Sequence, residues 1–335
     1  MKQLSGQETG KDWNHDLVIL IPFFTNNYLM TLVEITFLGT TAAVPTKRRN
    51  HASIYLRYQS ENEFHFLFDC GEGTQRQMLH AGTNFMRIND IFITHWHADH
   101  WAGLIGLIET MNLEDRKNHL HIYAPESEKF LPTLLSIGYA SKGFSIIPKN
   151  VEFEGKDILT LIEKDEFMIQ TIPAKHSVPA VAYAFVEKDR IKIDVNKLKK
   201  LGLPGTSPLY KKLKAEGKIN FKGKEINIED VATIEKGKRI VYSGDTQKTN
   251  NIIKIATEAD ILIHDSTYFS DEGFEGYNHT GFQDVMKIAE EARVKQVILT
   301  HISRRYQDNQ ELKDIIKDYG NVKVAEDFMK VSLTK

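Results

Sequence analysis

The sequence is short of cysteine, of net charge and of long apolar runs, and each shortage excludes something. One cysteine, Cys70, among 335 residues leaves no internal disulfide and fits a reducing compartment. A free cysteine is commonly a small buried hydrophobe, and Cys70 is expected to be one. A formal net charge of -2 argues against a globally basic nucleic-acid binder, so any such role must rest on local charge. No stretch reaches the ~18 apolar residues of a membrane span. The one suspect, Leu17–Phe24, is too short, and the mixed polar run before it lacks the net-basic start of a secretory signal. A cytoplasmic protein with no membrane partner is expected. The hydrophobic content of 41% and charged content of 26% suit a globular chain. Residues 1–29 read as an extension, with the domain running over 30–335.

Periodicity gives a layered α/β class. Near-alternation over Leu32–Leu38 predicts a half-buried strand. ASIYLRY and FHFLFDC, around a polar QSENE, predict a hairpin. A helix is expected from Thr74 to Gly82, a strand over INDIFIT and one helix over WAGLIGLIETMNL. Strands dominate the middle, with His176 in a loop between two of them. Strands and helices alternate after RIVYSGDT. That order allows two packed sheets.

One segment has a different composition. Residues 188–224 carry twelve Lys/Arg and three Asp/Glu. Asp194 and Ser207 are expected as helix N-caps, Pro208 as a first helical residue, and Gly202 and Gly217 as stops. Two short basic helices around a Gly/Pro turn suggest an inserted arm, and clustered positive charge is the footprint of polyanion binding.

The densest chemistry is in THWHADHW. His95, His97, Asp99 and His100 fall within six residues at a strand end. Imidazole and carboxylate together suit zinc and other borderline metals. Strand alternation would place His95, His97 and Asp99 on one side and His100 on the other, so the chain must bend there. Two adjacent sites follow, one on His95 and His97, the other on Asp99 and His100. Four ligands cannot fill two sites, and His176, Asp245 and His301, at comparable strand ends, are expected to complete them. Asp245 can bridge with its two oxygens. His119 and His121 have no neighbouring carboxylate in sequence and are expected as surface or core residues.

H-x-H-x-D-H, the preceding FDCGEGT and the later spaced His, Asp and His resemble the metallo-β-lactamase superfamily over nearly all of 30–335. Within it, FLGTTAAVPTKRRN, FDCGEGTQRQ, HSVPAVAYAF, SGDT and LTHISRRYQ are similar to the short form of the ribonuclease Z (tRNase Z) family. The resemblance implies a four-layer αββα sandwich with an inserted basic arm, a zinc-dependent endoribonuclease that removes the 3′ trailer of precursor tRNA, two Zn2+ per subunit and a homodimer. It implies His95, His97 and His176 on one ion, Asp99, His100 and His301 on the other, and Asp245 between. It makes Asp69 a support for a ligand histidine, Asp99 the group that orients water and takes its proton, and His279 the proton donor to the leaving 3′-oxygen. Asp265 stands where many relatives have glutamate. Being one methylene shorter, it is expected to support His279 in an altered or indirect way. Lys47 and Arg49 of the PTKRRN loop, Arg305, and the arm's Lys199, Lys200, Lys211, Lys212 and Lys214 are the implied RNA contacts, whereas Arg304 is expected to face solvent or a partner subunit. Thr206 and Ser207 separate Gly205 from Pro208, where the family pattern has glycine and proline adjacent. The rival functions are a small-molecule phosphodiesterase or other hydrolase on the same scaffold, and an RNA-binding protein whose metals are structural.

Overall fold

A computed structural model describes residues 31–137, 142–203, 209–269, 278–306 and 309–334. The extension 1–29 and the turn holding Ser207 and Pro208 lie outside them. Two seven-stranded sheets face each other. The first contains β1 (Leu32–Gly39), β2 (Ser53–Gln59), β3 (Glu63–Phe68), β4 (Asp90–Phe92), β5 (Leu120–Ala124), β6 (Ile146–Asn150) and, at its edge, β18 (Lys330–Thr334). The second contains β7 (Leu159–Glu163), β8 (Phe167–Pro173), β9 (Val181–Glu187), β14 (Arg239–Tyr242), β15 (Ile261–Asp265), β16 (Gln296–Thr300) and β17 (Val322–Val324). Each sheet is antiparallel at one side and parallel at the other.

Alternation of side chains along the strands builds the layers. Val33, Ile35, Phe37, Phe66, Phe68, Ile240 and Ile263 point between the sheets into one aromatic-rich core. Their neighbours Tyr55, Leu67 and Ile91 point outward. There they meet Met78 of α1 (Thr74–Ala81), Leu104 and Leu107 of α3 (Leu104–Leu113), and Leu131 of α4 (Ser127–Leu135). Val241 and Leu262 on the second sheet likewise meet α8 (Asn250–Ala256), α9 (Phe282–Glu291) and α10 (Asn309–Ile316). The result is the expected αββα sandwich.

Two details depart from expectation. INDIFIT contributes only three strand residues. WAGLIGLIETMNL forms the expected helix only from Leu104, because a short helix before it, α2 (Ala98–Trp101), ends at Trp101 and α3 begins after Gly103. The Gly103 N–H donates to the Cys70 carbonyl at 2.9 Å, and a Cβ there would lie 2.1 Å from the Gly71 carbonyl oxygen. Only glycine permits that approach, and it sets the angle at which the histidine-rich loop leaves the sheet.

The inserted unit is larger than its charge run. β10 (Arg190–Ile193) and β13 (Ala232–Glu235) form an antiparallel ribbon. Between them lie α5 (Val195–Lys200), α6 (Leu209–Glu216), the hairpin β11 (Lys218–Phe221) and β12 (Lys224–Asn227), and α7 (Ile228–Val231). Asp194 caps α5 through the N–H groups of Asn196 and Lys197. Ile193, Leu198, Leu213, Ile219, Ile226 and Val231 give the arm its own small core. Over 190–235 there are eleven Lys/Arg against six Asp/Glu, so the excess is diluted by Glu225, Glu229, Asp230 and Glu235 and concentrates on the α5 and α6 side.

Candidate metal centre

The carboxyl ends of the parallel strands converge at one rim of the sandwich, the usual position for a site in an open parallel sheet. β3 delivers Asp69, β4 leads to His95–His100, β14 to Asp245, β15 to Asp265 and β16 to His301. His176 enters from the β8–β9 loop and His279 from the segment before α9. His97 is extended and sits at the N-cap of α2. This strand-to-helix bend replaces simple alternation and turns His95, His97, Asp99 and His100 toward a common space. Gly244 has φ +57°, and a Cβ on it would lie 2.7 Å from the Thr94 side chain.

Donor atoms within 4.8 Å of one another fall into three sets. His95, His97, His176 and Asp245 form one and Asp99, His100 and His301 a second; Asp245, Asp265, His279 and His301 form a third that overlaps both. Asp245 Oδ2 lies between them, 3.7 Å from His95 Nε2, 3.3 Å from His100 Nε2 and 3.3 Å from His301 Nε2. Asp99 Oδ2 is 3.5 Å from His100 Nε2 and 3.4 Å from His301 Nε2. His97 Nδ1 is 3.0 Å from His95 Nε2 and 3.1 Å from His176 Nε2.

Outer contacts aim these rings. The His100 Nδ1–H donates to Asp69 Oδ2 at 2.7 Å, which turns the Nε2 lone pair inward. Asp69 has φ +55° and also accepts from the Thr94 N–H (2.7 Å) and the Tyr242 hydroxyl (2.7 Å). His176 Nδ1–H donates to the Asn278 carbonyl at 2.8 Å. His301 Nδ1 is 3.0 Å from Thr267 Oγ1. Such partners fix tautomers and raise ligand basicity.

The residues fit bound metal. His100 Nε2 and Asp245 Oδ1 are buried without a hydrogen-bond partner, although buried polar atoms rarely go unpaired. Burial pushes His95, His97 and His176 down, only partly opposed by Asp245, so all three are neutral donors. Burial also disfavours charge on His100 and His301, but the surrounding carboxylates, Asp245 foremost, reverse this and carry His301 up to about 10. These rings hold protons that a cation would displace. Burial would raise Asp99 and Asp245, but the imidazoles, His100 first, hold both below the usual carboxylate range.

His279 lies at the rim of this cluster. Its Nδ1 is 2.9 Å from Asp265 Oδ2 and 3.9 Å from Asp245 Oδ2. Asp265 therefore reaches His279 directly despite its shorter side chain, correcting the expectation of altered or indirect support. Its other oxygen accepts from the Thr267 N–H (3.0 Å) and hydroxyl (2.7 Å). Burial lowers the His279 pKa, but Asp265 and then Asp245 outweigh it and raise the net value.

The proposed RNA contacts separate. Lys47, Arg48, Arg304 and Arg305 are exposed; the first three help line a cleft of about 980 Å³ with Pro45 and Tyr306. Arg49 is buried. Its guanidinium donates to Thr40 Oγ1 at 2.7 Å and to the Ala325 carbonyl at 2.5 Å. These bonds hold the loop to the strands, and Arg49 borders the same cleft from its buried position. Lys199, Lys200 and Lys212 are exposed on the arm, whereas the side chains of Lys211 and Lys214 lie outside those described. His119 is exposed, His121 pairs with Asp90 at 3.1 Å, and Cys70 is buried. Sequence reasoning missed Thr94, Tyr242, Thr267, Asn278 and the Ala43 N–H, which donates to Asp99 Oδ2 at 3.0 Å. Hydroxyl and main-chain partners carry no spacing signature; only the strand-end position of Thr94 and Tyr242 hinted at them.

Comparison with known proteins agrees with this geometry. The family described as "Beta-lactamase superfamily domain" matches residues 228–302, and that described as "Anti-Pycsar protein Apyc1" matches 33–191. The ribonuclease Z of Archaeoglobus fulgidus is 38% identical over 312 residues, 90% of this chain and 98% of its own. That of Pyrococcus furiosus is 39% identical, over 82% of this chain and 88% of its own. The crystal structure of the short form of human tRNase Z superposes with a TM-score of 0.63 at 25% identity, covering 89% of this chain and 98% of that one. With this fold, this cluster and these relatives, the chain belongs to the ribonuclease Z family.

Proposed function

We propose that the protein is a metal-dependent endoribonuclease that cuts the 3′ trailer from precursor tRNA and leaves a 3′-hydroxyl on the tRNA. The observation that carries this is the clustering of His95, His97, Asp99, His100, His176 and His301 around Asp245, whose Oδ2 lies within 3.7 Å of three of the imidazoles, in a chain of this family. Two zinc ions would suit these donors, with His95, His97 and His176 holding one, Asp99, His100 and His301 the other, and Asp245 available to both. Such a pair would supply Lewis-acid stabilisation of phosphoryl oxygens and would lower the pKa of water towards neutrality.

The protein's own groups do the rest. Asp99, held by the Ala43 N–H, orients the attacking water and accepts its proton. His279, turned by Asp265 and held toward its protonated form, donates from its other nitrogen to the leaving ribose 3′-oxygen. Lys47, with Arg48 in the cleft beside it, and Arg305 meet the phosphates near the cut. Lys199, Lys200, Lys211, Lys212 and Lys214 grip the tRNA body. We read the protein as a cytoplasmic homodimer in which one subunit's arm serves the other's centre. Mixing an arm-deleted subunit with a His279→Ala subunit tests this: activity returns in mixed dimers, and silent mixtures remove the shared-arm reading.

The deciding assay sets precursor-tRNA cleavage beside hydrolysis of a small phosphodiester. Ile193 and Ala232 are cross-strand partners, so the residues between them can be replaced by an Asn-Gly turn. The arm-deleted protein is expected to keep small-diester hydrolysis and to lose tRNA affinity with a flatter salt dependence. Equal tRNA cleavage with and without the arm would remove the arm's proposed role, and hydrolysis of the small diester with no tRNA cleavage by either protein would return the choice to a small-molecule phosphodiesterase.

A further inference from the structure

The arm joins the sandwich through two chain segments, and a buried carboxylate sits where they meet. Glu187 ends β9, three residues before the ribbon begins, and its side chain is fully buried. Its Oε1 accepts from the Thr31 hydroxyl at 2.8 Å and lies 3.4 Å from the Tyr58 hydroxyl. Its Oε2 accepts from the Lys238 N–H at 3.0 Å. One carboxylate thus ties the start of β1 and the end of β2 in the first sheet to the strand by which the chain returns from the arm.

Charged groups extend the knot on both segments. Arg190, the first ribbon residue, donates to the Tyr58 hydroxyl at 2.6 Å and lies 3.7 Å from Glu187 and 3.9 Å from Glu166. Glu166 accepts from the Ser60 hydroxyl at 2.7 Å. On the returning side, Asp189 accepts from the Gly237 N–H at 2.9 Å and from Lys236 at 2.7 Å. Gly237 passes so close that a Cβ would lie 1.8 Å from the Glu187 carbonyl oxygen. The outgoing and returning strands are therefore pinned to each other and to both sheets at one level. The arm's own core begins only beyond it, at Ile193 and Val231.

A ribbon of two four-residue strands would by itself bend freely. Buried polar networks that are fully satisfied rigidify what they join. We infer that Glu187 is a positioning residue that fixes the arm's direction against the catalytic body and so selects RNAs whose body and 3′ end are correctly spaced. The substrate-selection half rests on the arm reading above; the rigidity half does not. Because the contacts given above for Glu187 include neither the centre nor the basic face of the arm, its loss acts on the fraction of molecules whose arm is correctly aimed. The apparent affinity falls by that fraction while the chemical step is untouched.

The test compares wild type with Glu187→Gln and Tyr58→Phe in the full-length, metal-loaded protein. Tyr58→Phe removes the hydroxyl and keeps the ring packed on Phe167 and Phe185. Nitroxide labels at Lys200→Cys on α5 and Lys117→Cys on the body report arm direction, since the native Cys70 is buried. Both variants are expected to broaden the label–label distance distribution. Glu187→Gln should raise KM for a 3′-extended tRNA about tenfold, with kcat and small-diester hydrolysis unchanged. Tyr58→Phe should do the same to a smaller degree. A distance distribution as narrow as wild type in both variants overturns the inference, as does a parallel loss of small-diester hydrolysis, which marks general destabilisation. If arm deletion leaves tRNA cleavage intact, the arm reading fails, and the distance measurement alone then decides whether Glu187 fixes the arm.

Discussion

Arg49 and Lys47 stand two residues apart in one loop and are expected to behave in opposite ways. Arg49 is inside, bonded to Thr40 and Ala325. Removing one partner of a buried charged network costs ~3 kcal/mol or more. Arg49→Ala should therefore lower the midpoint of denaturant unfolding, whereas Lys47→Ala should leave it unchanged and weaken RNA binding with a salt slope reduced by about one. The same midpoint for both variants would return Arg49 to the surface. His279→Ala should cut turnover by ~100- to 10,000-fold, the usual share of a general acid, while bound metal and tRNA affinity persist; loss of metal would reassign it as a ligand. Asp327 adds a pH dependence away from the centre. Burial raises it to about 6, against hydrogen bonds from Thr40 and Asn50 and the nearby Arg49. The folded state then binds this proton more tightly than the unfolded chain, whose aspartate titrates near 3.9. Its contribution is complete below that value and is lost as pH rises through about 6. Asp327→Asn should flatten thermal stability between about pH 4 and 6 relative to wild type; superimposable profiles would contradict this.

At the scale of elements, what could be read from the sequence followed from periodicity and from clustered chemistry. β1, the hairpin β2–β3, and α1 with its left-handed Gly82 stop were visible because alternation, polar turns and caps are local. The seven candidate ligands were visible because strand ends carried His or Asp in tight motifs. The break between α2 and α3 was not, since Gly103 is required by the Cys70 and Gly71 carbonyls, which are distant in sequence. Nor was the burial of Arg49, whose partners Thr40 and Ala325 are set by the tertiary fold. The arm's charge was legible, but its boundary was not, because β10 finds β13 across some forty residues. Gly244, between β14 and Asp245, offers an element-scale test. Its φ is +57°, and an alanine methyl there would lie 2.7 Å from the Thr94 side chain. Gly244→Ala should therefore displace Asp245 and reduce the bound metal measured after dialysis. Full metal occupancy in that variant would mean that the β14 turn does not set the bridge.

For the whole molecule, the sandwich turns six separated segments into one rim, the arm adds a basic surface on a pinned root, and the cleft beside PTKRRN adjoins the centre. Each part makes sense for a long, flexible polyanion cut at one place and is surplus for a small ester. The most direct measurement is to map the products of a 3′-extended precursor tRNA at nucleotide resolution, before chelation, after it, and after zinc is restored. The account predicts one cut at the base of the trailer, with a 3′-hydroxyl on the tRNA, abolished by the chelator and recovered with the metal. Uncut precursor in the metal-loaded protein, or cleavage indifferent to chelation, would contradict it.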